Sequence, residues 1–187
     1  MSSLIQQIAD LYPDHTKIRL GIGEGGIFIK PTIVSTVLGS CVSVTFYCRR
    51  KKTGAIFHAL LPKIPEAIEA KLFQDRFKYV DSAIKHIIHT LQRRGIEHDQ
   101  IEVKVFGGSE GAFNGVIRTG ASNIMAAYEV LNKHKLQITA SDIGGSMGRN
   151  LVFVSSTGEV FIKNHKNSLL SGKETTQSKN KYRKVAN

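Results

Sequence analysis

Cysteine, proline and tryptophan are scarce in this chain: two cysteines, four prolines and no tryptophan in 187 residues. Two cysteines cannot frame a disulfide scaffold, and a chain this long can bury a continuous core without one. No apolar run approaches the roughly 20 residues that a membrane-spanning helix needs. The first residues carry no basic-then-apolar segment of the secretory kind. A cytoplasmic protein with no membrane insertion is therefore expected. Cysteines and histidines do not fall at zinc-ligand spacing, so neither metal nor cofactor is expected.

Acidic residues are also in short supply, 15 against 26 lysines and arginines, for a formal charge of +11. From Lys163 onward seven basic residues face one acidic residue, Glu174, so six of the eleven charges lie in the last stretch. That stretch has few large apolar residues after Leu170. It reads as a solvated, disordered tail or as a docking arm for an acidic partner. No nucleic-acid motif accompanies the charge, and no specific nucleic-acid partner is expected.

Residues 4–12, "LIQQIADLY", carry apolar side chains at helical spacing and meet Pro13. Short alternating runs follow: "KIRLGIGEGGIFIK", "TIVSTVL", "VSVTFYC" and "GAIFHALLP". Two long amphipathic helices, "YVDSAIKHIIHTLQRRG" and "ASNIMAAYEVLNKHK", come later, separated by a strand, "IEVKVFGG". "LQITASDIGG" and a hairpin, "NLVFVSSTGEVFIK", complete the pattern. The expected class is α+β, a mixed β-sheet sandwich flanked by helices. Residues 1–16 form a helical extension, 17–163 the single domain and 164–187 the basic tail.

"IVSTVLGSCVSVTFYC" places Cys41 after a Gly-Ser turn and before a strand. Gly39 offers backbone freedom there, and consecutive N–H groups at Ser40 and Cys41 can stabilise an oxyanion. Cys48 lies seven residues on, too far along an extended strand for a disulfide and on the opposite face. Among seven histidines, His58 differs: it shares a strand face with Ile56 and Leu60. Two readings stand, a core histidine satisfied by a hydrogen bond and a base returned beside Cys41 by the hairpin. Ser35 and Thr36 are the nearest hydroxyls able to orient such a base, and strand alternation lets only one of them face it. "GIGEGG" lacks the full dinucleotide pattern and reads as a tight connection. "FGGSEGAF" and "DIGGSMGR" read as turns beside the site, with Arg149 at its rim.

Together "GIGEG", "VLGSCVSVTFY", "GAIFHALLP", "VKVFGGSEGAF", "GASNIMAAYEVL" and "DIGGSMGRNLVF" resemble, in order, the chemoreceptor glutamine deamidase family of bacterial chemotaxis, CheD. The resemblance covers roughly residues 20–163. It implies a cysteine-hydrolase-like fold and a protein-glutamine deamidase acting on the cytoplasmic helices of chemoreceptors through a thioester. Cys41 would be the nucleophile, His58 the base, and Ser35 would stand where the family has a threonine holding the histidine. Ser122 in "GASN" departs from the arginine common there. The family also implies a CheC-type phosphatase partner, and an adaptor role is the alternative function.

Overall fold

A computed structural model of the chain describes residues 3–65, 75–110, 119–165 and 182–185. Two five-stranded mixed sheets lie face to face. The first holds β1 (Thr16–Arg19), β3 (Thr32–Leu38), β8 (Arg149–Val154), β9 (Val160–Asn164) and β10 (Arg183–Val185), in that order. The second runs β2 (Gly25–Phe28), β5 (Thr53–Phe57), β4 (Val42–Cys48), β6 (Glu102–Gly107) and β7 (Ile138–Ile143). Only β1 with β3 and β6 with β7 pair in parallel. Three helices cover the outer faces: α1 (Leu4–Ala9), α2 (Val80–Arg93) and α3 (Thr119–Lys133). The expected α+β class is observed.

Side-chain alternation divides the apolar residues into three layers. Val34 and Leu38 of β3, Phe153 of β8, Ile56 of β5 and Phe106 of β6 meet Cys41 between the sheets. Val42, Val44, Phe46 and Cys48 of β4 turn the other way, onto Ile84, Ile87 and Leu91 of α2 and Ala127 and Leu131 of α3. Leu4 and Ile8 of α1 cover Ile33, Val152 and Val154 on the outer face of the first sheet. The two cysteines are thus free thiols in different layers.

The α2 stripe Val80, Ala83, Ile84, Ile87, Ile88 and Leu91 is fully covered. Its end is closed by Gly95 at φ 68°, with Ile96 N–H donating to Leu91 and Gly95 N–H to Gln92, which satisfies two terminal carbonyls.

Three boundaries differ from expectation. The first helix stops at Ala9, because Leu11 and Tyr12 donate to carbonyls three residues back in a tightening turn. The strand at "GAIFHALLP" ends at Phe57, with isolated bridges of Ala59 to Val42 and of Leu61 to Tyr79 beyond it. The basic tail is not uniformly solvated: Arg183–Val185 form β10 against β9, and Val185 is buried between the sheets. Lys184 pairs there with Glu159, and Arg183 with Asp142. Glu159 also accepts from Tyr12, so both ends of the described chain fasten on one carboxylate. Residues 166–181, where disorder was expected, lie outside the described residues.

Candidate active site

Cys41 sits one residue before β4, and His58 one residue after β5. The two strands pair antiparallel, and the Val42–Ala59 bridge extends their register by hydrogen bonds of 3.0 and 2.9 Å. This register sets Cys41 opposite Leu60 and Ser43 opposite His58. Cys41 and His58 are therefore diagonal neighbours on the inter-sheet face, a spacing of about 7 Å in an antiparallel pair. Backbone bonds to Gly23 and Glu24, each 2.8 Å, hold His58 from its other side.

The hydroxyl beside His58 is that of Thr36, not Ser35. Thr36 Oγ1 lies 2.7 Å from His58 Nδ1 and donates to the Leu20 carbonyl at 3.1 Å. A hydroxyl has one proton to give, so Thr36 must accept from Nδ1–H. The neutral ring then carries its lone pair on Nε2, which is buried and has no other partner among the described residues. Ser35 is on the opposite face of β3, toward α1, where its hydroxyl reaches only Ile18 carbonyl oxygen at 3.4 Å. The Ser35 assignment is thereby corrected: Val34, Thr36 and Leu38 face the second sheet, while Ile33, Ser35 and Val37 face outward.

Burial sets the resting charge of the pair. Cys41 is 7% exposed and His58 4%. Removal from water pushes the Cys41 thiol above its ordinary value, against a smaller pull from its own backbone N–H. The same cause pushes His58 below its ordinary value, against a smaller opposing effect of Glu24. Both shifts favour a neutral thiol beside a neutral imidazole. No hydrogen bond joins the two at rest.

Among the described residues the Ser40 and Cys41 N–H groups have no backbone acceptor, because the sheet is interrupted on both sides. Gly108 N–H donates to the Cys41 carbonyl at 2.8 Å, the first half of a ladder rung. The second half is missing: left-handed φ angles of 100° at Gly107 and 67° at Gly108 turn the Gly108 carbonyl toward Gly120 of α3. A side chain at Gly107 would overlap the Cys41 carbonyl oxygen, which is why glycine is required. Gly39, expected to supply the freedom, has no positive φ, and a Cβ on it would meet nothing within 4 Å. The turn is open at Gly39 and constrained at Gly107–Gly108.

Asn123, fully buried on α3, donates from Nδ2 to the carbonyls of Ser40 at 2.9 Å and Leu60 at 3.0 Å. It thus ties the turn before Cys41 to the segment after His58. Sequence reasoning missed it, although one signal was present: it is a polar residue on the helix stripe otherwise made by Gly120, Ala126, Ala127, Val130 and Leu131. Arg149, expected at the rim, is 3% exposed and serves the Asp142–Met147 connection. Its guanidinium donates to Asp142, to the Gly144 carbonyl and to the Met147 carbonyl. His86 is half-buried with its ring edge-on to Phe77 at 5.5 Å. Among the described residues no three histidine, cysteine or acidic side chains are grouped to hold a metal, and no helix is long and apolar enough to cross a membrane.

A buried thiol, an imidazole whose Nδ1 is held by a hydroxyl, and backbone N–H groups without a backbone acceptor among the described residues are an arrangement compatible with nucleophilic hydrolysis. Comparison with known proteins makes the family specific. Residues 60–164 match the family described as CheD chemotactic sensory transduction. The chain is 42% identical over 154 residues to the probable chemoreceptor glutamine deamidase CheD 2 of Geobacter sulfurreducens, covering 81% of this chain and 92% of that protein. It is 37% identical over 157 residues to the probable chemoreceptor glutamine deamidase CheD of Maridesulfovibrio salexigens, covering 80% and 92%. The chain belongs to the CheD family. A crystal structure of the Bacillus licheniformis hypothetical protein YfiH superposes with a TM-score of 0.45 at 12% identity, over 76% of this chain and 68% of that one. That likeness is too slight to carry an argument.

Proposed function

We propose that this chain is a protein-glutamine deamidase that converts glutamine side chains on the cytoplasmic helices of chemoreceptors to glutamate. The observation that carries this reading is the hydrogen bond from His58 Nδ1–H to Thr36, which leaves Nε2 as a base on the strand face shared with Cys41. Family membership supports it, since the curated relatives are named as probable chemoreceptor glutamine deamidases.

The chemistry follows from the groups. His58 Nε2 takes the thiol proton, and the Cys41 sulfur attacks the carboxamide carbon. The Ser40 and Cys41 N–H groups receive the oxyanion, commonly the largest electrostatic contribution in acyl transfer. The imidazolium then protonates the amine, and ammonia leaves a thioester. Water, deprotonated by His58, attacks the thioester, and the returning thiol takes the proton back. Thr36, in place of Ser35, holds the tautomer throughout. The two-sheet scaffold is on this reading a cysteine-hydrolase fold working in the cytoplasm. A CheC-type phosphatase partner is carried only by the family resemblance, and co-purification with that protein tests it separately.

The test is incubation of wild-type protein and the Cys41→Ala variant with a receptor cytoplasmic fragment from the same organism. Peptide mass spectrometry reads the glutamine-to-glutamate mass change, and a coupled assay reads ammonia. Conversion by wild type alone is expected. Absence of conversion by a folded wild-type protein rejects the receptor substrate.

A further inference from the structure

The geometry points to Asn123 as the positioning residue that aims the oxyanion-binding Cys41 N–H, an inference resting on the thiol-hydrolase reading above. The ladder between β4 and the segment after β5 breaks off beyond one rung. Val42 and Ala59 exchange both backbone bonds. In a regular antiparallel ladder the next such exchange falls two residues on, between Ser40 and Leu61. It does not form. Leu61 N–H goes to the Lys78 carbonyl at 3.1 Å, and the Leu61 carbonyl accepts from Val80 N–H at 2.8 Å. The Ser40 carbonyl is taken by Asn123 instead.

This substitution of a side-chain amide for a ladder rung has a directional effect. The Ser40–Cys41 peptide is planar and trans, so its C=O and N–H point in opposite directions. Anchoring the Ser40 carbonyl on α3 therefore fixes where Cys41 N–H points. That N–H is directed toward the side from which Gly108 has withdrawn its carbonyl. The second Asn123 bond, to Leu60, fixes the same amide against the chain that carries His58. One side chain with no solvent exposure thus sets the relative placement of the Cys41 N–H, the sulfur and the base. Asn123 touches neither substrate nor sulfur on this account; it acts through the Ser40 peptide.

Two reactions at Cys41 separate this role from plain structural support. Acylation by p-nitrophenyl acetate passes through a tetrahedral oxyanion as the sulfur displaces p-nitrophenolate. Alkylation by iodoacetamide displaces iodide at a saturated carbon and forms no oxyanion. Wild type, Asn123→Ala and Asn123→Ser are compared in both, with folding followed by circular dichroism. We expect acylation by Asn123→Ala to fall about 100-fold, the scale of losing an oxyanion donor. Alkylation and its pH profile should stay within roughly threefold, because the thiol's surroundings are kept. Asn123→Ser, which can still donate to one carbonyl, should fall between. Parallel loss of both reactions, unchanged acylation, or failure of both variants to fold would each overturn the inference. If wild type is acylated and the variants lose acylation selectively while receptor glutamines are untouched, the positioning role stands and the substrate assignment falls.

Discussion

Replacing Thr36 by valine removes one hydroxyl and keeps the side-chain shape, which isolates the orienting hydrogen bond. Two buried groups lose a partner, the Leu20 carbonyl and His58 Nδ1. A buried polar group left unsatisfied costs about 1–3 kcal/mol. Both groups can relax in part, so a total of about 2 kcal/mol is the working figure. In a chain of this length that is a fall of roughly 4–8 °C in melting temperature. The catalytic loss is larger in proportion: without Thr36 the ring is free to place its proton on Nε2 and to turn, and base catalysis supplies about 10²–10⁴ in rate. A decrease of about 100-fold in kcat/KM for glutamine conversion is expected. Ser35→Ala is the internal control. Its single contact is 3.4 Å long and half-exposed, so stability should change by less than about 0.5 kcal/mol and turnover by less than about twofold. Mass-spectrometric rates and thermal melts of the two variants decide the matter. A Ser35→Ala enzyme as impaired as Thr36→Val would refute the strand facing on which the site is built.

Two further outcomes follow from the same structure. Because burial lowers the His58 pKa, the acid limb of kcat/KM should lie below the ordinary histidine value near 6.5; a limb above pH 7 contradicts this. The unfolded chain takes up the proton first as pH falls below that value, so stability declines from there down to the folded pKa, a slope that urea titrations can measure. Deleting residues 182–187 removes β10, the Val185 burial and the Lys184–Glu159 pair. A loss of about 2 kcal/mol with unchanged iodoacetamide reactivity of Cys41 is expected, and an unaltered melting temperature would show that β10 contributes nothing.

Much of this architecture was legible in the residues because alternation and helical spacing are strong signals. They separated Cys41 from Cys48, placed His58 with Ile56 and Leu60, and delimited α2 and α3. Strand β3 defeated the same logic. Its outer face is partly covered by α1 and carries Ile33 and an exposed Val37, so "IVSTVL" reads apolar on both faces and does not reveal which hydroxyl turns inward. The family pattern then favoured Ser35, one residue from Thr36. Strand β10 was hidden for another reason: its three residues are basic, basic and valine, and only the tertiary partners Asp142 and Glu159 make that segment worth ordering. The broken ladder rungs at Gly108 and Asn123 arise from pairings distant in sequence, which no local pattern announces.

The burial that raises the Cys41 thiol also bears on oxidative damage. Peroxide attacks thiolate, and a thiol that is 7% exposed and protonated at neutral pH offers very little of it. The resting protein should therefore survive oxidants that would convert a preformed thiolate to sulfenic acid. Nucleophilic character would be drawn out only when a carboxamide enters the turn and His58 takes the proton. Latency of this kind would spare a sulfur that no disulfide guards.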